Sequence, residues 1–428
     1  MLGIKMRKGA RFRIALWCIA GIAVCILAIG LAGTISRAAM FATSSSALSF
    51  ARGTTTPASV IPAKPTPTHM ATPSIVRAIY MTQCAAGTPS LRKTLVQFIE
   101  GTGLNAVVID VKDYSGRLSF TPADLSLKDS VSPTCRAPDM EAFVKELHEK
   151  NIYVIGRITT FQDPYYTALH PELAVKRLSD KSANWKDRHG LSFIDVSAKP
   201  YWSYIVKIGN AAHDIGFDEL NFDYIRFPSD GNMNDTFYTW NPGVGKSEAL
   251  EKFYIYLHDQ LKPTGAVMSV DLFGMVTTNY DDLNIGQVIE RAMPYFDFID
   301  PMVYPSHYPT GFNGYKNVNE HPYDIVYFSL THAVERTLAT TTKESVLAFT
   351  RIGTSTPAVY EKPAYLASKI RPWLQSFDYP VTYTPEMVSA QIKANTDAGL
   401  SSYLFWDPAN KYRSLRAVLP TEGITTVN

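Results

Sequence analysis

A (β/α)8 TIM barrel, preceded by a single N-terminal transmembrane helix and a disordered linker, is the architecture this sequence predicts. Three observations carry that expectation. Residues 1–75 hold eight basic and no acidic residues around one uncharged apolar run, and a Ser/Thr/Pro-rich stretch follows it. From residue 76 onward, eight short β-branched and aromatic runs alternate with longer helical patterns. The 428 residues are 46% hydrophobic and 19% charged, which suits a large core and excludes a wholly disordered or fibrous chain.

The N-terminus is read first. Lys5, Arg7, Lys8, Arg11 and Arg13 make residues 1–13 a basic tail, and residues 14–35 carry no charge. As a helix, a run of that length reaches about 33 Å, roughly one hydrocarbon core. The positive-inside bias predicts a signal anchor with the tail in the cytoplasm and everything after Arg37 across the membrane. Small residues near Ala38 and Ala39 also fit a cleaved secretory signal, although the apolar run exceeds the roughly 7–15 residues usual there. Either route exports the body, as a single-pass membrane protein or a secreted one.

Residues 36–75 read as a linker, because 18 of the 32 residues in 43–74 are Ser, Thr or Pro, a composition that cannot bury a core. Cys18 and Cys25 fall in the apolar run, leaving Cys84 and Cys135 as an outside pair, either one disulfide or two buried thiols. The body, 76–428, carries 33 basic and 39 acidic residues with no Lys/Arg-rich run. Nucleic acid is therefore excluded as a partner.

Strands are predicted over 76–82, 106–113, 153–160, 219–228, 267–274, 298–304, 369–377 and 402–407, with helices over 90–101, 139–150, 200–216, 246–261 and 385–398. The seventh strand is the weakest pattern. Residues 346–351 have strand composition, yet 369–377 lead directly into the last helix, so 340–367 become an insertion. The body is longer than the ~250 residues typical of such a barrel, and the excess also goes to long loops over 162–199 and 229–245.

Period-two parity then sorts side chains between the barrel interior and the helix layer. In the fourth strand Leu220, Phe222 and Tyr224 oppose Glu219, Asn221 and Asp223; in the second, Val107, Ile109 and Val111 oppose Asp110 and Lys112; in the fifth, Met268, Val270 and Leu272 oppose Ser269 and Asp271. Arg157 joins the inward set from the third strand, and Asp300, Met302 and Tyr304 share a parity in the sixth. An apolar outward set implies a polar interior. Buried charge is costly without partners, so the interior is either an inert network, with Lys112 and Arg157 neutralising Asp110, Asp223 or Glu219, or a catalytic one. The catalytic reading needs one carboxyl kept protonated and one kept ionised, the pair that glycosidic cleavage requires.

Aromatic residues at strand ends fit a saccharide cleft: Tyr304, Tyr308, Trp373 and Trp406, with His307 in the stiff loop YPSHYP (304–309). No phosphate loop, dinucleotide fingerprint, H-E-x-x-H or G-x-S-x-G elbow occurs. The nine His residues show no helical ligand spacing, so neither a metal site nor a cofactor is expected.

The motifs DELNFDYIRFP (218–228), VIDVKDYSGRL (108–118), DPMVYPSHYPTGF (300–312), RPWLQSF (371–377) and YLFWDPAN (403–410) resemble the bacterial glycosyl hydrolase-like family known as domain of unknown function 4015. The resemblance spans most of 76–412 and implies a glycosidase-like barrel with RPWLQSF as its seventh strand. A more distant similarity is to chitinase-like glycosidases with D-x-x-D-x-D-x-E on the fourth strand, where Asp218, Asn221 and Asp223 match but Ile225 stands at the acid position. The amylase-like arrangement maps better, onto Asp223 and Asp271. The expectation is therefore a glycoside hydrolase acting on a cell-envelope or extracellular polysaccharide, with Asp223 as nucleophile or base and Asp271 as acid. Asp110, Lys112, Arg157, Asn221, Arg226, Tyr304, His307, Trp373 and Trp406 would contact or tune the substrate. The alternative is a non-catalytic glycan-binding or scaffolding barrel, motivated by Ile225.

Overall fold

The computed structural model describes residues 67–420. Eight parallel strands close into a barrel in the order 1-8-7-6-5-4-3-2. They are β1 (Arg77–Met81), β2 (Ala106–Lys112), β3 (Tyr153–Thr159), β4 (Glu219–Asp223), β5 (Val267–Phe273), β6 (Phe298–Met302), β7 (Trp373–Gln375) and β8 (Tyr403–Trp406). Each is followed by a helix: α1 (Pro89–Glu100), α2 (Met140–Glu149), α3 (Lys199–His213), α4 (Lys246–Leu261), α5 (Ile289–Ala292), α6 (Pro322–Leu338), α7 (Pro385–Asp397) and α8 (Arg413–Val418). The seventh strand lies within the later of the two segments that composition allowed. It is short, meeting β6 only through Trp373 opposite Met302, and Ile370 extends the seam by a bridge to Ile299.

Two cores result from the strand alternation. Val107, Ile109, Val111, Leu220, Phe222, Met268, Val270 and Leu272 are buried against helix residues such as Leu95, Phe143, Ile205 and Phe253. Each such side chain contributes on the order of 1.5–3 kcal/mol by leaving water. Inside the barrel, Val76, Ala78, Ala106, Val108, Tyr153, Ile155 and Leu404 form a separate cluster at the N-terminal end. Asp110, Arg157, Asn221, Asp223 and Asp271 lie farther along their strands, toward the C-terminal ends. α6 was not foreseen, although Pro322 sits at its N-terminus and Val326, Leu330 and Ala333 bury at helical spacing.

The long loops pair with one another, Lys176–Arg177 lying antiparallel to Thr236–Phe237. The 340–367 insertion forms its own three-stranded sheet from Thr341–Thr342, Thr350–Ile352 and Val359–Glu361. Cys84 and Cys135 are bonded across 51 residues of sequence, a loop whose closure stabilises by about 4 kcal/mol on chain-entropy grounds. The bond ties the segment after β1 to the loop before α2.

One boundary differs from expectation. Part of the predicted linker is packed: Met70 joins the inner core, its N–H donates to Asp218 Oδ1 at 2.6 Å, and Thr72 Oγ1 lies 3.0 Å from the Tyr153 hydroxyl. Composition missed this because a single Met with backbone donors suffices to close the barrel floor. The predicted tail, the apolar run with Cys18 and Cys25, and the linker up to residue 66 lie outside the described residues. Among the described residues, no helix is long and apolar enough to cross a membrane.

Candidate active site

A cavity of about 690 Å³ opens at the C-terminal ends of the strands, the end at which barrels of this type carry their chemistry. Of the residues expected at a site, Arg157, Asp223, Arg226, Asp271, Tyr304, His307, Trp373 and Trp406 line it. Asp110 and Asn221 sit beneath them, buried. Lys112 does not take part. A register shift between Asp110 and Lys112 accompanies its turn away from the barrel axis, and its Nζ pairs with Asp163 at 3.0 Å and donates to the Thr159 carbonyl at 2.6 Å.

Asp223 ends β4 as an ion-paired carboxylate. Its Oδ2 accepts from Arg157 Nε at 3.1 Å and Nη2 at 2.5 Å, and its Oδ1 accepts from the Tyr224 N–H at 2.6 Å. Arg157 also donates through Nη1 to Asp110 at 2.6 Å, and the other Asp110 oxygen accepts from the Tyr80 hydroxyl at 2.5 Å. Burial pushes the Asp110 carboxyl up to about 6 against the pull of Arg157. One guanidinium is therefore shared between two carboxylates. The Arg157 guanidinium also lies 4.8 Å from the Trp406 ring centroid, and that ring stacks on Tyr80 at 3.9 Å.

Asp271, on the adjacent strand, is held differently. Its Oδ1 accepts from Asn221 Nδ2 at 2.9 Å and from Trp373 Nε1 at 2.7 Å. No guanidinium comes within ion-pair distance of it among the described residues. Burial first, then the charges of Asp223 and Asp300, push its carboxyl well above the usual carboxylate range. Because Oδ1 already takes two donors, a proton on this carboxyl belongs on Oδ2, to which no described residue donates. At successive strand ends, one carboxyl is thus ion-paired, while burial and neighbouring carboxylates favour the protonated form of the other.

Residues 78–412 match the family model described as "Putative glycosyl hydrolase domain". The chain belongs to that family. Among solved structures, a hypothetical protein from Ruminiclostridium thermocellum is similar at 30% identity over 48% of this chain and 98% of that one, with a TM-score of 0.41. The glycoside hydrolase domain of PgaB (BpsB) from Bordetella bronchiseptica is similar over 82% of this chain and all of its own, 100%, at 12% identity and a TM-score of 0.55. That likeness is one of fold. No curated protein matches.

Three site expectations change in this glycosyl hydrolase-family domain. Trp373 is 1% exposed and spends its indole N–H on Asp271, so it holds that carboxyl in place and offers no open face to a sugar. Tyr224 does not join the helix layer that its parity predicted. Its φ of 47°, rare for a non-glycine residue, turns the ring into the cleft wall, where Arg226 lies 4.8 Å from its centroid. Ile225, at the chitinase-like acid position, is fully buried with the helix layer, so that position does not face the cleft here at all.

Two groups went unnoticed in the sequence. Tyr80 shared an inward parity with Ala78, and Arg371 headed the RPWLQSF motif; either could have been flagged from those signals. Arg371 donates to Glu219, with Nη1 to Oε2 at 3.0 Å, and to Asp300, with Nε to Oδ1 at 3.2 Å and Nη2 to Oδ2 at 3.0 Å. Glu219 is therefore paired with Arg371, and neither Lys112 nor Arg157 neutralises it.

Proposed function

We propose that this domain hydrolyses glycosidic bonds in a cell-envelope or extracellular polysaccharide. The observation that carries the reading is the pairing in one cleft of ion-paired Asp223 with Asp271, a buried carboxyl held by Asn221 and Trp373 with no guanidinium on it among the described residues. Asp271 gives its Oδ2 proton to the glycosidic oxygen as the bond to the anomeric carbon breaks. Asp223 supports that carbon from the other side, by attack or through an activated water. The water's hydroxyl ends on the sugar and its remaining proton restores Asp271, so the residues return unchanged. Trp406, Tyr304 and His307 line the path of the chain, and Arg226 supplies donors at the wall.

The pH dependence follows from the raised Asp271 carboxyl. Its proton is held to higher pH than that of an ordinary carboxyl and is lost as pH climbs past that raised value, so activity falls on the alkaline side. Incubating the purified full chain with a panel of polysaccharides and measuring new reducing ends tests the reading. Turnover of at least one polymer is expected, and glycan binding without any new reducing ends would favour the non-catalytic barrel.

We further place the barrel across the membrane, anchored by residues 14–35 behind the basic tail of residues 1–13 and the linker that follows. The charge bias and the bonded Cys84–Cys135 pair support this, since such a bond persists where the compartment is oxidising. Alkylating intact cells before reduction should leave both cysteines unlabelled, and two freely alkylated thiols would contradict export.

A further inference from the structure

The proposed chemistry asks for a proton on Asp271, and the barrel interior is arranged around that demand. Besides Asp271, four carboxylates point inward, those of Asp110, Glu219, Asp223 and Asp300, against two guanidiniums, those of Arg157 and Arg371. Each guanidinium is divided between two carboxylates. The interior therefore retains uncompensated negative charge on both sides of Asp271, and neither cation is within ion-pair reach of it among the described residues.

The two sides are not equivalent. Asp223 faces the cleft and is part of the chemistry. Asp300 is fully buried one strand over, its Cα directly paired with that of Asp271 across β5 and β6. Arg371, also fully buried, grips both Asp300 oxygens from below. Asn221 spans the gap: the Nδ2 that lies 2.9 Å from Asp271 Oδ1 is 3.3 Å from Asp300 Oδ2 and 3.0 Å from Ser269 Oγ. A fixed negative charge beside a carboxyl opposes its ionisation. The same bridge orients the carboxyl so that Oδ1 accepts and Oδ2 carries hydrogen.

We propose that Asp300, clamped by Arg371 and joined to Asp271 through Asn221, is a positioning residue that keeps the transferable proton on Asp271. Its role rests on the hydrolase reading for its use, but the proton itself is observable without substrate. The groups facing Asp271 are Asp223 on β4, Arg157 on β3, Asp300 with Asn221 and Ser269 around it, Trp373 on β7 and Tyr304 after β6, with Arg371 and Glu219 one layer lower. Among the described residues, Asp300 is the carboxylate paired directly beside Asp271 on the side away from the Asp223 ion pair, with Arg371 beneath it. Burial raises the Asp300 carboxyl, while Arg371, on both of its oxygens, favours its charged form.

The test uses the full chain purified in detergent and the isosteric variant Asp300→Asn. With substrate, the alkaline limb of the kcat/KM profile is expected to move down by roughly one pH unit, with KM at low pH little changed. Without substrate, the infrared carbonyl band of a protonated carboxyl, assigned by its loss in Asp271→Asn, is expected at pH 7 in the native chain and weakened in Asp300→Asn. If the chain turns over no polymer, the band still decides the proposal while the hydrolase reading falls. A limb and a band that coincide with those of the native chain would overturn it. Should Asp300→Asn not fold, Glu219→Gln leaves Arg371 wholly to Asp300 and should shift both readouts in the same direction by less; no shift in either would overturn the proposal equally.

Discussion

Replacing Asp271 by Asn is expected to lower kcat on polysaccharide by about 10²–10⁴-fold, the range that a positioned general acid contributes. The substitution is nearly isosteric. Its carbonyl oxygen still accepts from Asn221 and Trp373, which at 2.9 and 2.7 Å now hold the carboxyl, so folding should be preserved while the transferable proton disappears. The loss should therefore depend on the leaving group: aryl glycosides whose phenolate departs unprotonated should retain much more activity than the polymer. Asp223→Asn should abolish turnover of both substrates, because the charge facing the anomeric carbon is needed whatever the leaving group is. Steady-state rates of the two variants on the two substrate types check this, and equal losses for Asp271→Asn on both would remove it from the acid role.

The largest expected effect on stability belongs to Arg157→Met. Arg157 is 4% exposed and donates to Asp223 through Nε and Nη2 and to Asp110 through Nη1. Methionine fills a similar volume but strands both carboxylates, and removing one partner of a buried ion pair costs about 3–5 kcal/mol. The penalty should shrink in acid. Asp110 already titrates near 6 in the folded chain, above its ordinary unfolded value, and without Arg157 it rises further; a carboxyl shifted upward on folding favours the folded state below its unfolded value and loses that contribution as pH climbs. Urea unfolding of the variant and the native chain at pH 5 and pH 8 measures this. A difference below about 1 kcal/mol at both values would mean that the pair is solvated and weak.

Much of the barrel was legible because a strand has period two. Once the apolar set Leu220 and Phe222 was assigned to the helices, Glu219, Asn221 and Asp223 had to face inward, and the same logic located Asp110 and Asp271. What parity cannot report is the geometry at a strand's end. Tyr224 continued the outward set on paper, but its left-handed backbone ends β4 and turns the ring into the cleft. Lys112 continued the inward set on paper, but it follows a register shift, turns off the barrel axis and meets Asp163 in place of the expected acids. Trp373 borders the cavity, but its partner lies 102 residues away in sequence, and no local pattern encodes an indole meeting a carboxyl from another strand. Arg371 illustrates the same limit: its motif was visible, but the pairing with Glu219, 152 residues away, belongs to the closure of the barrel.

The proposed mechanism requires two carboxyls from neighbouring strands to flank a single scissile bond. The most direct measurement is the crystal structure of Asp271→Asn soaked with an oligosaccharide of a polymer on which the native chain proves active. The glycosidic oxygen should lie within hydrogen-bond reach of residue 271, with the anomeric carbon turned toward Asp223. A saccharide seated elsewhere in the cleft, with Asp223 and residue 271 both out of reach of the linkage, would contradict the account.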